Sequence, residues 1–322
     1  MTSDFLKFAP MKSRRNTIAC ISGICILAVM VIADLFCGGS ADFEIMSRLR
    51  TPRTVTALLA GAALALSGAQ MQSIFRNPLA DPHIMGVSAG ASLGAAVATM
   101  VGGPAAGSGI STALAAFIGA ACSAMIILAV SRKFRHAATL LIFSIMLGFI
   151  VNAIVSILQF TTDAESLKIF YSWSAGSFST STWPQIFIML GAAVVGSAIA
   201  FSNRKGLDII LFGDEFAEMA GADTGKIRIT AMLGSCILTA AVTAFCGPIG
   251  FVGIVSPHIA RGILKTSSHI HILPASVLTG AFISLGADLI SHLAPSPLPT
   301  ASTMAVIGIP AILYILLKKS RQ

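Results

Sequence analysis

The sequence predicts an all-α, polytopic membrane protein of about ten transmembrane helices, and three observations carry that prediction. The 322 residues are 55% hydrophobic and only 11% charged, whereas a soluble domain needs about a quarter of its residues charged. The mean hydropathy is +0.87. Apolar runs recur near 17–37, 54–75, 84–102, 110–131, 138–160, 184–202, 229–247, 249–264, 272–290 and 299–317. Most approach the roughly twenty residues that a helix needs to cross a bilayer. The chain reads as one membrane domain, 1–322, with a tail at 1–16 and a long polar connection at 203–228.

The first run follows Lys7, Lys12, Arg14 and Arg15. It exceeds a typical signal-peptide core and lacks a small-x-small cleavage site, so it reads as a retained span. Arg48, Arg50 and Arg53 open the second run, which is uncharged from Thr54 to Phe75. The segment Asn77-Pro78-Leu79-Ala80-Asp81-Pro82 then breaks the helix twice, since each proline removes a donor and restricts its predecessor. Beyond it, Gly86, Gly90 and Gly94 have the spacing of one helix face, which lets another backbone approach closely. The 249–264 run is short and contains Pro257. A kinked or partial span there is tolerated where protein or a watery cavity satisfies the freed backbone groups.

Two connections carry more than linkage. Segment 161–183 holds Trp173 and Trp183, which fit an interfacial aromatic belt or a short lid helix over an entrance. In 203–228, residues 211–221 read as a short amphipathic helix. Asp214 and Glu215 suit its N-terminal turn, Glu218 follows, and Gly221 suits its end. It is either a solvated surface helix or a lever that fits a groove on a cytoplasmic partner.

Charge fixes the predicted topology. With the N-terminus inside, the inner segments carry Lys7, Lys12, Arg14, Arg15, Arg76, Arg132, Lys133, Arg135, Arg204, Lys205, Lys226, Arg228, Arg261, Lys265, Lys318, Lys319 and Arg321. The outer segments hold only Arg48, Arg50, Arg53 and Lys168 of the 21 basic residues. Both termini are therefore expected in the cytoplasm. This bias accounts for the net charge of +8, so no nucleic-acid partner is implied. The outer arginine cluster has two readings: snorkelling to lipid phosphates, or docking an acidic partner through bidentate pairs.

The motifs of soluble chemistry are missing. Gly221-Ala222-Asp223-Thr224-Gly225-Lys226-Ile227 falls one residue short of a phosphate-binding loop and has Ile where Ser or Thr holds magnesium. No HExxH occurs. His269 and His271, two apart in a polar loop, are expected to be solvated, and no metal or other cofactor is implied. His83 and His258 each follow a proline, and capping or packing roles are expected. Six cysteines without a CxxC pair read as small membrane-buried side chains. Ionisable residues are nearly absent from span centres, with Asp34 and Asp288 near outer ends. That counts against a proton- or sodium-driven secondary carrier, which relies on buried carboxylates. No cluster of catalytic His, Asp or Glu supports an integral membrane enzyme. Asn152, Ser156 and Gln159 fall on one face of the fifth run. They either bond between helices or line a translocation path. Ala65-Leu66-Ser67-Gly68 before Pro82-His83-Ile84 resembles Thr243-Ala244-Phe245-Cys246-Gly247 before Pro257-His258-Ile259. This weak signal would relate the halves by inverted topology.

Several strings taken together resemble the FecCD-type permeases, the membrane subunits of ATP-driven importers for ferric siderophores, haem and cobalamin. They are Arg50-Thr51-Pro52-Arg53, GAALALSGAQMQ, FRNPLADP, GVSAGASLGA, GPIGFVGIVSPHIAR from Gly247 to Arg261, Gly286-Ala287-Asp288 and Ile307-Gly308-Ile309-Pro310. The resemblance implies a type II ABC importer fold and a homodimer with its path at the two-fold axis. It also implies two cytoplasmic ATPase subunits and a periplasmic or lipid-anchored binding protein. It further implies that Arg50 and Arg53 face outward to pair with glutamates of the binding protein. The 214–221 helix would contact the ATPase, and Ala138-Thr139 and the Asn152 face would border the path and its inner gate. Where many members carry another arginine after the aspartate matching Asp288, this chain has His292. The family's Glu-Leu-Pro becomes Pro297-Leu298-Pro299, and the following glycine is Ala301. If His292 substitutes in docking, docking acquires a pH dependence near histidine's reference pKa of about 6.5.

Overall fold

The computed structural model describes residues 13–36, 43–83, 85–103, 109–131, 133, 137–293 and 298–320. Among these every regular element is helical: α1 (Ser13–Phe36), α2 (Thr51–Ile74), α3 (Val87–Ala96), α4 (Gly109–Ser131), α5 (Ala137–Thr161), α6 (Ala164–Ser174), α7 (Trp183–Ser202), α8 (Arg204–Ile210), α9 (Asp214–Met219), α10 (Thr224–Cys246), α11 (Val252–Leu264), α12 (His269–Leu293) and α13 (Thr300–Ser320). A π-helical turn at Met46–Arg50 leads into α2, and another at Val97–Val101 extends α3. Of the expected tail 1–16, residues 1–12 lie outside the described residues, and 13–16 already belong to α1. Pro297 also lies outside them.

Each predicted apolar run falls on a helix. Six stretches are long and apolar enough to cross a membrane: Met46–Ile74, Gly109–Ser131, Ala137–Thr161, Trp183–Ser202, Thr224–Cys246 and His269–His292. Four apolar helices are shorter: Ile21–Phe36, Val87–Val101, Val252–Leu264 and Thr300–Leu313. The helix ends follow local chemistry. Pro52 and Pro184 sit in the first turns of α2 and α7, where no donor is needed. Thr182 and Gln185 form a capping box on α7. The Asp163 and Asp223 carboxylates accept backbone N–H groups at the starts of α6 and α10.

The bundle is built around α2, whose Ala, Gly and Ser side chains are nearly all buried. Small residues let neighbouring backbones come close, which is how helices gain dispersion contact without a hydrophobic drive between them. A Cβ placed on Gly61 would lie 2.3 Å from the carbonyl oxygen of Gly280 in α12, and one on Gly68 would lie 2.0 Å from that of Gly253 in α11. Across α2 from these contacts, the Ser67 hydroxyl bonds those of Ser235 and Thr239 in α10. A second seam joins α3 to α4, where added Cβ atoms on Gly90 and Gly94 would strike the Gly119 and Ala115 carbonyls. Gly86 departs from the expected shared face. It is the N-cap of α3 with φ of +79°, because the chain must turn out of the proline-broken segment before the helix can start.

Pro257 lies inside α11 and has no N–H to offer the carbonyl four residues earlier, that of Gly253. Gln72 of α2 supplies the missing donor: its Nε2 donates to Gly253 O and Ile254 O, both at 3.1 Å. The Thr279 hydroxyl of α12 donates to Ser256 O at 3.1 Å. The protein itself thus meets the backbone requirement that a prolyl break creates away from water.

Gly68→Val should disrupt the α2–α11 contact, because nothing flexible stands opposite it. Overpacking of this kind costs about 1–3 kcal/mol or more. Thermal unfolding in detergent should fall well below wild type; an unchanged midpoint would show that the two backbones are not in contact.

Candidate functional site

Among the described residues, chemistry-bearing side chains gather at two ends of the bundle and around cavities, one of about 520 Å³ lined by Glu165, Lys168, Trp173 and Gln185 among others. At one end, Arg53 on the first turn of α2 lies between two carboxylates. Its Nη2 is 3.0 Å from Asp34 Oδ1 of α1, and its Nε is 3.0 Å from Asp288 Oδ2 of α12. The three side chains are 11%, 0% and 1% exposed. The Thr54 hydroxyl donates to Asp34 Oδ2 at 2.5 Å. His292, one turn after Asp288, has Nδ1 2.9 Å from the Asp288 carbonyl and 3.6 Å from its carboxylate. Arg53 therefore departs from the outward orientation that the resemblance implies: two buried carboxylates hold its guanidinium inside the bundle. His292 also points to its own chain. Arg50 Nη1 donates to Leu35 O at 3.0 Å and remains half-buried. Arg48, paired with Glu44 at 3.3 Å, is well exposed.

At the other end, α9 covers only Asp214–Met219, shorter than the predicted 211–221. Gly213 and Gly221, with φ of +113° and +81°, close it on both sides. Asp214 is turned toward the bundle, 3.3 Å from Arg76 Nη2 and 2.5 Å from Arg228 Nη2. Glu218 Oε1 accepts the Thr224 hydroxyl at 2.9 Å. Of the residues predicted for partner contact, Glu215 faces solvent, while Asp214 and Glu218 fasten the helix to its own chain. The outward surface also carries apolar side chains: Phe212, Phe216 and Met219 are exposed, with the two phenyl rings 5.3 Å apart. Sequence reasoning missed these three; the signal was an exposed apolar trio in a polar connection.

Near this end, His269 does not lie in solvent as expected. It opens α12, buried, with Nδ1 2.6 Å from Asp208 Oδ1 of α8 and Nε2 2.6 Å from the Ser73 hydroxyl of α2. His258 Nε2 contacts the Pro78 carbonyl at 2.9 Å and so fastens the broken segment to α11.

A second cavity, of about 480 Å³, is lined by His83, Ser88, Ser92, Phe149, Asn152 and Pro248 among others. Asn152 faces it, while Ser156 is exposed and donates to the Asn152 carbonyl, and Gln159 is half-buried farther along α5. Ala138 and Thr139 are exposed at the opposite end of α5. The expected polar face thus enters the cavity at one residue only. His83 Nδ1 contacts the Ser88 hydroxyl, and burial pushes its imidazole below the ordinary histidine value against a smaller pull from Asp81. The lining is therefore largely apolar, with a few polar groups and no charged one. Among the described residues no group of three His, Cys, Asp or Glu could hold a metal ion.

A helical bundle with broken spans and small-residue seams fits a multi-pass membrane transport permease. The FecCD transport family model matches residues 17–318, and the chain belongs to that family. It is 35% identical to the cobalamin import system permease protein BtuC of Halobacterium salinarum, over 84% of this chain and 73% of that protein. It is 32% identical to the hemin transport system permease protein HmuU of Yersinia pestis, over 88% and 86%. A solved structure, assigned to an inward-facing metal-chelate type ABC transporter, superposes with a TM-score of 0.84 at 29% identity. That superposition covers 92% of this chain and 98% of the other.

Arg53→Ala should leave Asp34 and Asp288 as buried carboxylates without their cation, a loss of about 3–5 kcal/mol. Arg48→Ala, at an exposed pair, should cost under about 1 kcal/mol. Thermal unfolding of both purified variants checks this: equal midpoints would show that the Arg53 cluster does not hold the helices.

Proposed function

We propose that the chain is the permease subunit of an ATP-driven importer that moves a metal chelate across the inner membrane by alternating access. A ferric siderophore is the first candidate cargo, with haem or cobalamin next. Two copies would form the path at their shared axis, and ten apolar helices per copy would cross the membrane with both termini in the cytoplasm. Two ATPase subunits would bind inside, and a periplasmic or lipid-anchored binding protein outside. The protein itself would break no bonds, and ATP hydrolysis would occur on the separate ATPase chains.

The observation that carries this reading is the construction of α9. A six-residue helix anchored by Asp214 to Arg76 and Arg228, with Phe212, Phe216 and Met219 turned outward, is a rigid apolar knob. Such a knob suits a groove on a partner. At the opposite end, Arg48 and Arg50 supply the rim for acidic side chains of a binding protein, while Arg53 sits behind them. Family membership and the relatives' named cargoes support the choice of chelate. The alternative, an ion-gradient-driven carrier, needs a carboxylate free to load a cation. Asp34 and Asp288 are instead held by Arg53.

Phe216→Asp with Met219→Asp should leave membrane insertion intact, since both sites are exposed, and should weaken capture of the co-expressed ATPase about tenfold or more. Undiminished co-purification of the ATPase with the double variant would retire α9 as the contact.

A further inference from the structure

The two charged clusters lie at opposite ends of the same pair of helices. At one end, Asp208 of α8 accepts the His269 backbone N–H at 2.7 Å and faces His269 Nδ1 at 2.6 Å, and the Ser268 hydroxyl donates to it at 3.4 Å. It therefore caps α12 from another helix, where free N–H groups favour an anion. A carboxylate only accepts, so in the neutral imidazole of His269 the proton sits on Nδ1, and Nε2 is left as an acceptor facing the Ser73 hydroxyl. The hydroxyl also lies 2.9 Å from the Ala69 carbonyl in its own helix. The Ser–His–Asp order has the look of a nucleophile, yet Ser73 and His269 are 0% and 1% exposed, so no substrate reaches them. One residue away, Gln72 Oε1 accepts from Arg261 Nη1 at 2.6 Å. The inner ends of α2, α11 and α12 are thus pinned together, and α2 and α12 are pinned to α8. Midway, α2 and α12 meet backbone to backbone at Gly61 and Gly280. At the far end Arg53 joins them through Asp288 and adds α1 through Asp34.

We propose that α2 and α12 form one strut that carries displacement of the α8–α9 segment to the Arg48–Arg50 rim within a single chain. Asp208, His269 and Ser73 are its positioning residues. Only Leu211–Gly213 separates α8 from α9, and Leu207 and Ile210 of α8 are fully buried. A push on α9 therefore reaches the partly buried Asp208 with little slack, and its hydrogen bonds to the buried His269 and on to Ser73 pass it on as a rigid-body shift. The inference rests on the permease reading above and adds a route through each subunit, separate from the path at the shared axis.

The test is the ATPase rate of the complete transporter in nanodiscs, with and without its binding protein, for wild type, Ser73→Ala and Asp208→Asn. The probe is ATP, so the cargo need not be known. Ser73→Ala removes the hydroxyl, and Asp208→Asn removes the charge and one acceptor oxygen, each with little change of volume. Basal hydrolysis and the binding protein's affinity should stay within about twofold of wild type, while stimulation by the binding protein should fall about fivefold or more, as expected for loss of coupling between distant sites. Asp208→Glu, which keeps the carboxylate, should recover part of the stimulation. Full stimulation in both variants overturns the strut. So does a parallel loss of basal rate and assembly, which would mark Ser73 and Asp208 as merely structural. A wild-type chain that assembles with no ATPase overturns the permease reading, and this inference with it.

Discussion

A carbonyl oxygen of α12 occupies the place where a side chain on Gly61 would have to be, and the reverse holds at Gly280. This backbone contact is the constraint on which the rest of the molecule depends. Lipid offers no solvent to drive helices together, so close approach has to supply the attraction through dispersion and weak polar contact. A central helix rich in Ala, Gly and Ser accepts neighbouring backbones closely, while its Leu64, Leu66, Met71 and Ile74 are fully buried between them. Polar side chains add specific ties: Ser67 toward α10, Gln72 toward α11, and Ser73 and Arg53 toward α12.

The charged groups follow the same logic. A buried ion is costly unless its partner and hydrogen bonds replace water. Arg53 faces two carboxylates, and Thr54 and His292 add contacts to them. Asp214 faces two arginines. These clusters sit at the two ends and leave the cavity beside α5 without a charged lining. A neutral lining suits a cargo that must pass without being held, because tight binding in a path slows release. Affinity for the chelate would then belong to the delivering protein, and the permease would supply the route.

Much of this was legible in the sequence because lipid imposes few and simple rules. The ten apolar runs were found by length, the break at 77–82 by its prolines, and the α3–α4 seam by the spacing of Gly90 and Gly94. The Pro257 kink was expected to need outside donors, but nothing in the local sequence could name Gln72, 185 positions earlier. Orientation was the recurrent failure. Arg53 and Asp214 are charged residues at helix ends, and such residues usually face water; here both turn inward to partners distant along the chain. His269 looked like a loop residue because polar neighbours at 266–269 hid its place as the first residue of α12. Gly86 shared the seam's spacing but not its conformation, since periodicity does not reveal where a helix begins.

The central claim is that neutral-lined, ion-paired helices make a passive conduit whose motion is driven by another chain. Uptake by proteoliposomes containing this chain, its ATPase and its binding protein tests it most directly, with cobalamin, haemin and a ferric siderophore each offered in turn. The account predicts uptake of one of them only with ATP enclosed beside the ATPase, and none under a proton or sodium gradient with the ATPase left out. Uptake sustained by such a gradient in the absence of the ATPase would contradict it.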